Sequence, residues 1–309
     1  MKYATVALST DGALAAGGTT KTPIRVWDIA SGKAMAELAG PESDVLALEF
    51  SPDGTILASA HFDGSVRLWS LPVGELLRTL EGHPETWPVL DLVFAEGGKQ
   101  LASGGDYSKA FVWDVATAKP IREVSWPAYM IHDEPCPPRK RCYAPELVRR
   151  RVICVAFRGG SLLTFSKDGI AEQIAIASGE SESKQQLRGE FRSAVATVDG
   201  SLIAAVVDHS GELVVFDPIS GEVSMKVEPD TSEEARLIQA PTDAVAVNAV
   251  AFLAGGKLVA AAHRDGVIRL WNPESGSVVD RLEQTPSAVP IALAVSADDT
   301  RLIAITSDG

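Results

Sequence analysis

Several features that would point to other classes of protein are scarce in this sequence. Only three cysteines occur among the 309 residues, too few for the disulfide framework of a small secreted domain. No apolar run approaches the roughly 18 residues needed to span a bilayer, and residues 1–12 lack the apolar core of a secretory signal. We therefore expect a soluble, cytoplasmic protein with no membrane partner.

Positive charge is also scarce. The chain has 28 Lys and Arg residues against 41 Asp and Glu residues, a formal net charge of −13. A surface of this sign repels phosphate backbones, so nucleic acid is not expected as a partner.

The sequence lacks the common motifs of catalysis and cofactor binding. It has no phosphate-binding loop, no zinc-binding helix and no nucleophile elbow. Asp208, His209 and Ser210 have the residue types of a catalytic triad, but adjacent residues on one tight turn cannot adopt its geometry. We predict no catalytic residues, no cofactor and no resident metal.

What the sequence does contain is a repeat, clearest at residues 51–80. Each copy reads as four short strands, rich in Val, Ile, Leu and Ala and separated by Gly, Asp, Ser or Pro. The third strand of successive copies carries one large side chain: Trp27, Trp69, Trp113, Ile174, Phe216 and Trp271. The turn before the second strand recurs seven times, which predicts that seven copies of the repeat begin in this chain.

Four strands per unit and a Trp-Asp pair, as in Trp27-Asp28 and Trp113-Asp114, are typical of WD repeats. Over essentially its whole length the sequence resembles the WD-repeat family. The resemblance implies an all-β fold: a β-propeller of four-stranded antiparallel blades, with six complete blades and an incomplete seventh. We expect one domain over residues 1–309.

The resemblance also implies a structural hydrogen-bond network in the stronger copies. The third copy would join four residues, and the second and sixth copies would keep an Asp with the Trp. The residues concerned are His83, Ser103, Asp106 and Trp113, then Asp63 with Trp69, and Asp265 with Trp271. His61 and His263 occupy equivalent places before the turn from strand b to strand c, and we expect both at an exposed rim near the pore mouth, with packing as their default role.

Two connections between copies are unusually long, at about residues 126–150 and 228–243. Loops of this length in a compact domain are usually functional or disordered. We favour an ordered binding element for the first, although a Pro-stiffened loop packed on its own blade is the alternative. The basic residues of this connection are suited to bind an acidic peptide or a phosphate group. The alternatives are that these residues are a solvated face or that they pair with the acidic residues of the second connection. Its Cys136 and Cys142 are either free or paired with each other.

We expect a non-catalytic scaffold that binds a protein or peptide on the rim formed by the b–c turns and d–a connections, the top face. The expected contact residues are those types that dominate binding energy: Phe62, Trp87, Tyr107, Trp126, Tyr129, Arg139, Lys140, Arg141 and Arg264. The alternatives are a propeller hydrolase or lyase with a site over the central pore, and a sensor domain of a larger signalling protein.

The last copy contains only strands a and b, at residues 291–309. This predicts an unclosed ring whose free strand edge accepts strands from another chain, unless the natural protein is longer.

Overall fold

The computed structural model of the chain describes residues 4–19, 22–39, 43–127, 129–131, 146–227, 247–283, 289–296 and 301–306. Within these ranges the regular structure is β-strand, apart from one short 3₁₀ turn at Ala254–Gly256.

Six antiparallel sheets of four strands follow one another along the chain, each with its strands a, b, c and d in sequence order. Blades one to three are β1 Ala4–Leu8, β2 Leu14–Thr19, β3 Thr22–Asp28, β4 Lys33–Leu38; β5 Val45–Phe50, β6 Ile56–His61, β7 Val66–Ser70, β8 Leu76–Leu80; and β9 Val89–Phe94, β10 Gln100–Gly105, β11 Lys109–Asp114, β12 Lys119–Ser125.

After blade three, the short strands β13 Tyr129–Ile131 and β14 Glu146–Val148 pair antiparallel with each other. The remaining blades are β15 Val152–Arg158, β16 Ser161–Ser166, β17 Ile170–Ala175, β18 Ser181–Gln186; β19 Phe191–Ala196, β20 Ile203–Val207, β21 Leu213–Phe216, β22 Val223–Val227; β23 Val247–Leu253, β24 Leu258–His263, β25 Val267–Asn272, β26 Ser277–Glu283; and, in blade seven, β27 Pro290–Val295 and β28 Leu302–Thr306. The expected six complete blades and incomplete seventh are confirmed.

The recurring turn before strand b is held by its own side chains. In blade two, Ser51 Oγ donates to the Asp53 carboxylate at 2.6 Å, and the backbone N–H groups of Thr55 and Ile56 donate to Asp53 and Ser51. Thr197 and Asp199 repeat this bond in blade five at 2.7 Å. A side chain that satisfies the turn's backbone groups explains why the same residue types recur at each start.

The blades form a ring through their innermost strands, each of which contacts the next, and β27 contacts β1. Arg301 Nη1, in blade seven, donates to the carbonyl oxygen of Gly12, in blade one, at 2.6 Å. The expectation of an unclosed ring is therefore wrong for the inner strands, because two strands suffice to bring blade seven against blade one. Completion of blade seven by strands of another chain stays a prediction.

The core lies between neighbouring blades. Trp69 and Trp113 are 1% and 0% exposed, whereas Trp27 and Trp271 are half-buried. Ile174 pairs with Leu162 in the register in which Trp113 pairs with Leu101, so it does take the tryptophan's place in blade four. Stacking of blades covers faces that a single blade leaves exposed.

No helix among the described ranges has the length and apolar character that crossing a membrane would require.

Candidate functional site

The b–c turns and d–a connections share the top rim, and aromatic residues gather on it at blades two to four. The rings of Trp87, in the connection from blade two to blade three, and Tyr107, in the b–c turn of blade three, have centroids 5.1 Å apart. The guanidinium carbon of Arg149 lies 5.0 Å from the Trp87 ring and 4.8 Å from the Tyr107 ring. Phe62, on the neighbouring turn, is 48% exposed. We call Trp87, Tyr107, Arg149 and Phe62 together the rim site.

Backbone contacts fix the connection that carries Trp87. Gly64, in the b–c turn of blade two, has φ +86°, and a Cβ there would lie 2.6 Å from the carbonyl oxygen of Pro84. Only glycine allows this approach without a shift. The Thr86 N–H also donates to the Asp63 carbonyl at 3.2 Å, so the Trp87 turn rests directly on the turn that presents Phe62.

Ser108 holds both ends of the first long connection. Its backbone N–H donates to the Arg150 carbonyl at 2.9 Å, and its hydroxyl accepts the Arg150 N–H at 2.6 Å. Its carbonyl accepts the N–H of Trp126 at 2.9 Å. The connection therefore leaves and rejoins the rim beside Tyr107.

A buried ion pair lies beneath this point. Arg150 Nη1 is 2.7 Å from Glu172 Oε2, with side chains 7% and 10% exposed, and Trp126 Nε1 donates to the same oxygen at 2.9 Å. Burial of Glu172 opposes its ionisation, but hydrogen bonds from Arg150, Ser181 and Trp126 hold its pKa below the usual value. The indole N–H of Trp126 is therefore used within the protein, and only the rest of its ring remains for a partner.

In blade three, Trp113 Nε1 donates to Ser103 Oγ at 2.8 Å, and His83 Nε2 bonds the same hydroxyl at 2.7 Å. Burial, with a smaller effect of Lys109, lowers the pKa of His83 to about 3, so its ring is neutral. Asp106 does not complete this chain as expected. It pairs with Arg151 at 2.9 Å, because its early position in the turn directs it across to the next blade.

Blade two has the same network with a different histidine. Ser59 Oγ accepts Trp69 Nε1 at 2.8 Å and bonds His61 Nε2 at 2.8 Å. Burial lowers the pKa of His61 to about 4. The exposed rim position expected for His61 and His263 is wrong, because these side chains are only 3% and 1% exposed.

The two aspartates expected beside Trp69 and Trp271 pair with arginines of strand c instead. Asp63 is 2.7 Å from Arg67 Nη2, and Asp265 is 2.6 Å from Arg269 Nη2. Each carboxylate also accepts a backbone N–H of its own b–c turn, so these residues brace the turns.

Arg264 does not join the rim site. It lies on the b–c turn of blade six, near Arg192, whose pKa is lowered by burial and by the charge of Arg264, against the opposing effect of Asp208. Glu190, Asp208 and His209 have ligand atoms within 4.8 Å of one another, but Lys167 Nζ already lies 3.4 Å from both carboxylates. An ammonium group therefore supplies the positive charge that this acidic cluster needs.

Several expected contact residues lie outside the described part of the chain. They are Arg139, Lys140 and Arg141; for Tyr129 the strand is described but its side chain is not. The possible disulfide partners Cys136 and Cys142 and the second long connection, residues 228–243, also lie outside the described residues. Sequence reasoning did not single out Arg149, Ser59 or Glu172. Arg149 was visible only as one member of a charge run, and its place just before strand a of blade four was the available signal.

Family models match the chain in two places. The model described as WD domain, G-beta repeat matches residues 32–70, and that described as Outer membrane protein assembly factor BamB, also a propeller, matches residues 52–308. The second model spans more than half of the chain, so the chain belongs to the family of β-propellers that this model describes, and the first match together with the ring of four-stranded blades supports a WD-repeat propeller. Propellers of this family are typically non-catalytic interaction scaffolds.

The matches to curated relatives cover only part of each relative's length. Nuclear distribution protein PAC1 of Arthroderma benhamiae is 34% identical over 37% of this chain and 26% of that protein. Transducin beta-like protein 3 of Bos taurus is 28% identical over 69% of this chain and 26% of that protein. The chain thus spans about a quarter of the length of these curated relatives.

The crystal structure of the Myceliophteria thermophila Cps50 (Swd1) β-propeller domain superposes with a TM-score of 0.75 at 19% identity, covering 98% of this chain and 92% of that one. This likeness shows the fold.

Proposed function

We propose that the chain is a non-catalytic scaffold that binds a protein or peptide partner on its top face, through the rim site. The observation that carries the proposal is the arrangement of Trp87, Tyr107 and Arg149 on one another beside the exposed Phe62. Tryptophan, tyrosine and arginine are the residue types that supply most of the binding energy at protein interfaces.

Preorganisation also supports this proposal. Gly64 lets the Trp87 turn pack closely, and Ser108 ties down both ends of the first long connection. A site whose side chains are already ordered loses less conformational entropy on binding than a flexible loop does. The connection rejoins the rim next to Tyr107, so its residues Tyr129, Arg139, Lys140 and Arg141 are proposed to extend the same surface.

The proposal includes a cytoplasmic location, with neither nucleic acid nor membrane as partner. The net charge of −13 supports the absence of nucleic acid, since it opposes binding to a phosphate backbone. Cys154 is a free, buried thiol whose pKa is raised by burial and by the nearby Asp91, which suits a reducing compartment where cysteine packs as a small apolar residue.

The test is capture of partners from cell extract by the intact chain and by a Trp87→Ala/Tyr107→Ala variant, quantified by mass spectrometry. Loss of two aromatic anchors is expected to reduce specific capture at least about tenfold. Val279→Ala is the control, since Val279 is 58% exposed on the outer strand of blade six. If both variants lose capture equally, or if neither loses it, the rim site is refuted, provided that thermal unfolding of the variants is unchanged.

A further inference from the structure

A second surface lies on the opposite, bottom rim, where a groove of ≈420 Å³ opens between blades two and three. Its floor is Ile56, Leu68 and Val115, and Leu77, 39% exposed, lines one side. The a–b and c–d turns of blade three form the other side, so the groove is separate from the rim site.

The corresponding junction between blades three and four is closed by an arginine. Arg122 occupies in β12 the register position that Arg78 occupies in β8, opposite Val112 and Leu68 respectively. The Arg122 guanidinium donates across the junction to the carbonyl oxygens of Ile176, at 2.8 Å, and Ala177. Between blades four and five, Gln185 likewise donates to the carbonyl oxygen of Ile219 at 2.6 Å.

Arg78 does not cross its junction, and the turn that it would reach carries a methyl group that the turn of blade four lacks. The c–d turn of blade four ends at Gly179, where a Cβ would lie 3.0 Å from Arg122 Nη1. The equivalent residue in blade three is Ala118, whose N–H closes the same turn and whose φ is +59°. An arginine approaching Ala118 as Arg122 approaches Gly179 would meet that methyl group. Arg78 instead donates to the carbonyl of its neighbour Leu77, at 2.7 Å.

The groove that this leaves open is apolar with cations at its edge. Arg78 and Lys99 line it, and neither forms an ion pair with any residue in the described ranges. The one acidic residue of the lining, Asp114, already accepts the Thr117 N–H at 2.8 Å and the Thr117 hydroxyl at 2.7 Å. Because neutral donors leave the Asp114 carboxylate charged, the three ionisable residues of this lining sum to one net positive charge, on a chain of net charge −13.

From this geometry we infer that the groove binds an extended segment of a partner protein in which a large aliphatic side chain stands next to a carboxylate. The aliphatic side chain packs on Leu68, Leu77 and Val115, and the carboxylate pairs with Arg78 and Lys99. Peptide N–H groups of the segment reach the carbonyl oxygen of Ala116, the counterpart of the Ala177 oxygen that Arg122 satisfies. This is a second interaction site, and it does not depend on the rim site.

A phage-displayed library of random dodecapeptides, selected on the intact chain, tests the inference. Leu77→Asp is the disrupting variant, and Leu282→Asp is its matched control, because Leu282 is 40% exposed on the outer strand of blade six. We expect enriched peptides to share an aliphatic residue beside Asp or Glu. Leu77→Asp should weaken their binding at least about tenfold, whereas Leu282→Asp and Trp87→Ala should leave it unchanged.

Three outcomes would overturn the inference. The first is that every enriched peptide still binds Leu77→Asp, and the second is that the enriched peptides are basic. The third is a dimer in solution that Leu77→Asp dissociates, because the occupant of the groove would then be a second copy of the chain. Thermal unfolding of each variant excludes loss of the fold as the cause.

Ala118→Gly tests the reason that the groove is open. Without the methyl group, Arg78 is expected to cross to the carbonyls of Val115 and Ala116 and to lower the affinity of the selected peptides about tenfold, in a protein that is at least as stable. Unchanged affinity in Ala118→Gly would show that Ala118 does not control access to the groove.

Discussion

Blades three and six carry a tryptophan at the same position and differ in what surrounds it. Trp113 pairs with Leu101 and Trp271 with Val259, and two residues further along strand b stand Ser103 and Ala261 respectively. The indole N–H of Trp113 is satisfied by the serine hydroxyl, whereas that of Trp271 finds no acceptor among the residues that the structure describes. The tryptophan marks a blade, but the hydroxyl on strand b decides whether a polar network forms.

The largest expected effect is on the tryptophans themselves. Trp113→Ala should lower the free energy of unfolding by about 3–5 kcal/mol, because the side chain is fully buried. Trp271→Ala should cost less, since Trp271 is half-buried and its removal also eliminates an unsatisfied N–H. Urea denaturation of both variants measures the difference, and equal losses would contradict the comparison.

Ser103→Ala removes the hydroxyl shared by Trp113 and His83, leaving two buried polar groups without it. Such groups cost about 1–3 kcal/mol when unsatisfied, and we expect a loss near the upper end of that range in urea denaturation. Ser59→Ala should behave alike in blade two, because Ser59 holds Trp69 and His61 in the same way. A loss in only one of the two blades would show that the networks are not equivalent.

The neutral His83 makes blade three sensitive to acid. Its pKa is about 3 in the folded chain against an ordinary value of 6.5, so its contribution to stability is complete above pH 6.5 and is lost as the pH falls toward 3. Between pH 7 and pH 5 the wild type should lose on the order of 2 kcal/mol more than His83→Gln.

Comparison with His83→Gln is needed because two acids act in the opposite direction. Burial raises the pKa of Glu49 to about 8, with Asp91 adding to it, and raises that of Asp91 to about 7. These groups favour the folded state as the pH falls, and their effect cancels in the difference. Parallel profiles for wild type and His83→Gln would mean that His83 is not held neutral.

The smallest expected effect comes from supplying blade six with the missing hydroxyl. Ala261→Ser places an acceptor where Ser103 stands in blade three, and we expect a gain of about 1 kcal/mol in the free energy of unfolding. Ala205→Ser is the matched control, because Ala205 has the same place in strand b of blade five, two residues after the partner of Phe216. The side chain of Phe216 has no N–H group that the new hydroxyl could accept. Ala205→Ser should destabilise; stabilisation by both would argue against the indole as the beneficiary.

The order of strands could be predicted because each turn repeats its own local chemistry. Residues such as Ser51 and Asp53 satisfy the backbone next to them, so their spacing alone located the blades. Closure of the ring could not be predicted in this way. The contact of Arg301 with Gly12 joins residues at opposite ends of the repeat, and no local pattern records it.

The candidate sites were predictable only in part, for the same reason. Trp87 and Tyr107 stood out as aromatic residues in rim connections, and they do meet. The inward orientation of His61 depends on Ser59 and Trp69 across two strands, which a count of residue types does not reveal. The groove between blades two and three lies beside Ala118, where blade four has Gly179, and this difference is visible only when the blades are superposed.

The bond from Arg301 to Gly12 has a consequence for how the chain folds. It links residues 289 positions apart, so closing it carries the largest loop entropy of any contact described for the ring. Contacts within each blade are local and can form first, and non-local pairing is what slows folding. The seam between blades seven and one is therefore expected to form last, and amide hydrogens of β28, whose side chains are only half-buried, should exchange with solvent before those of the central blades.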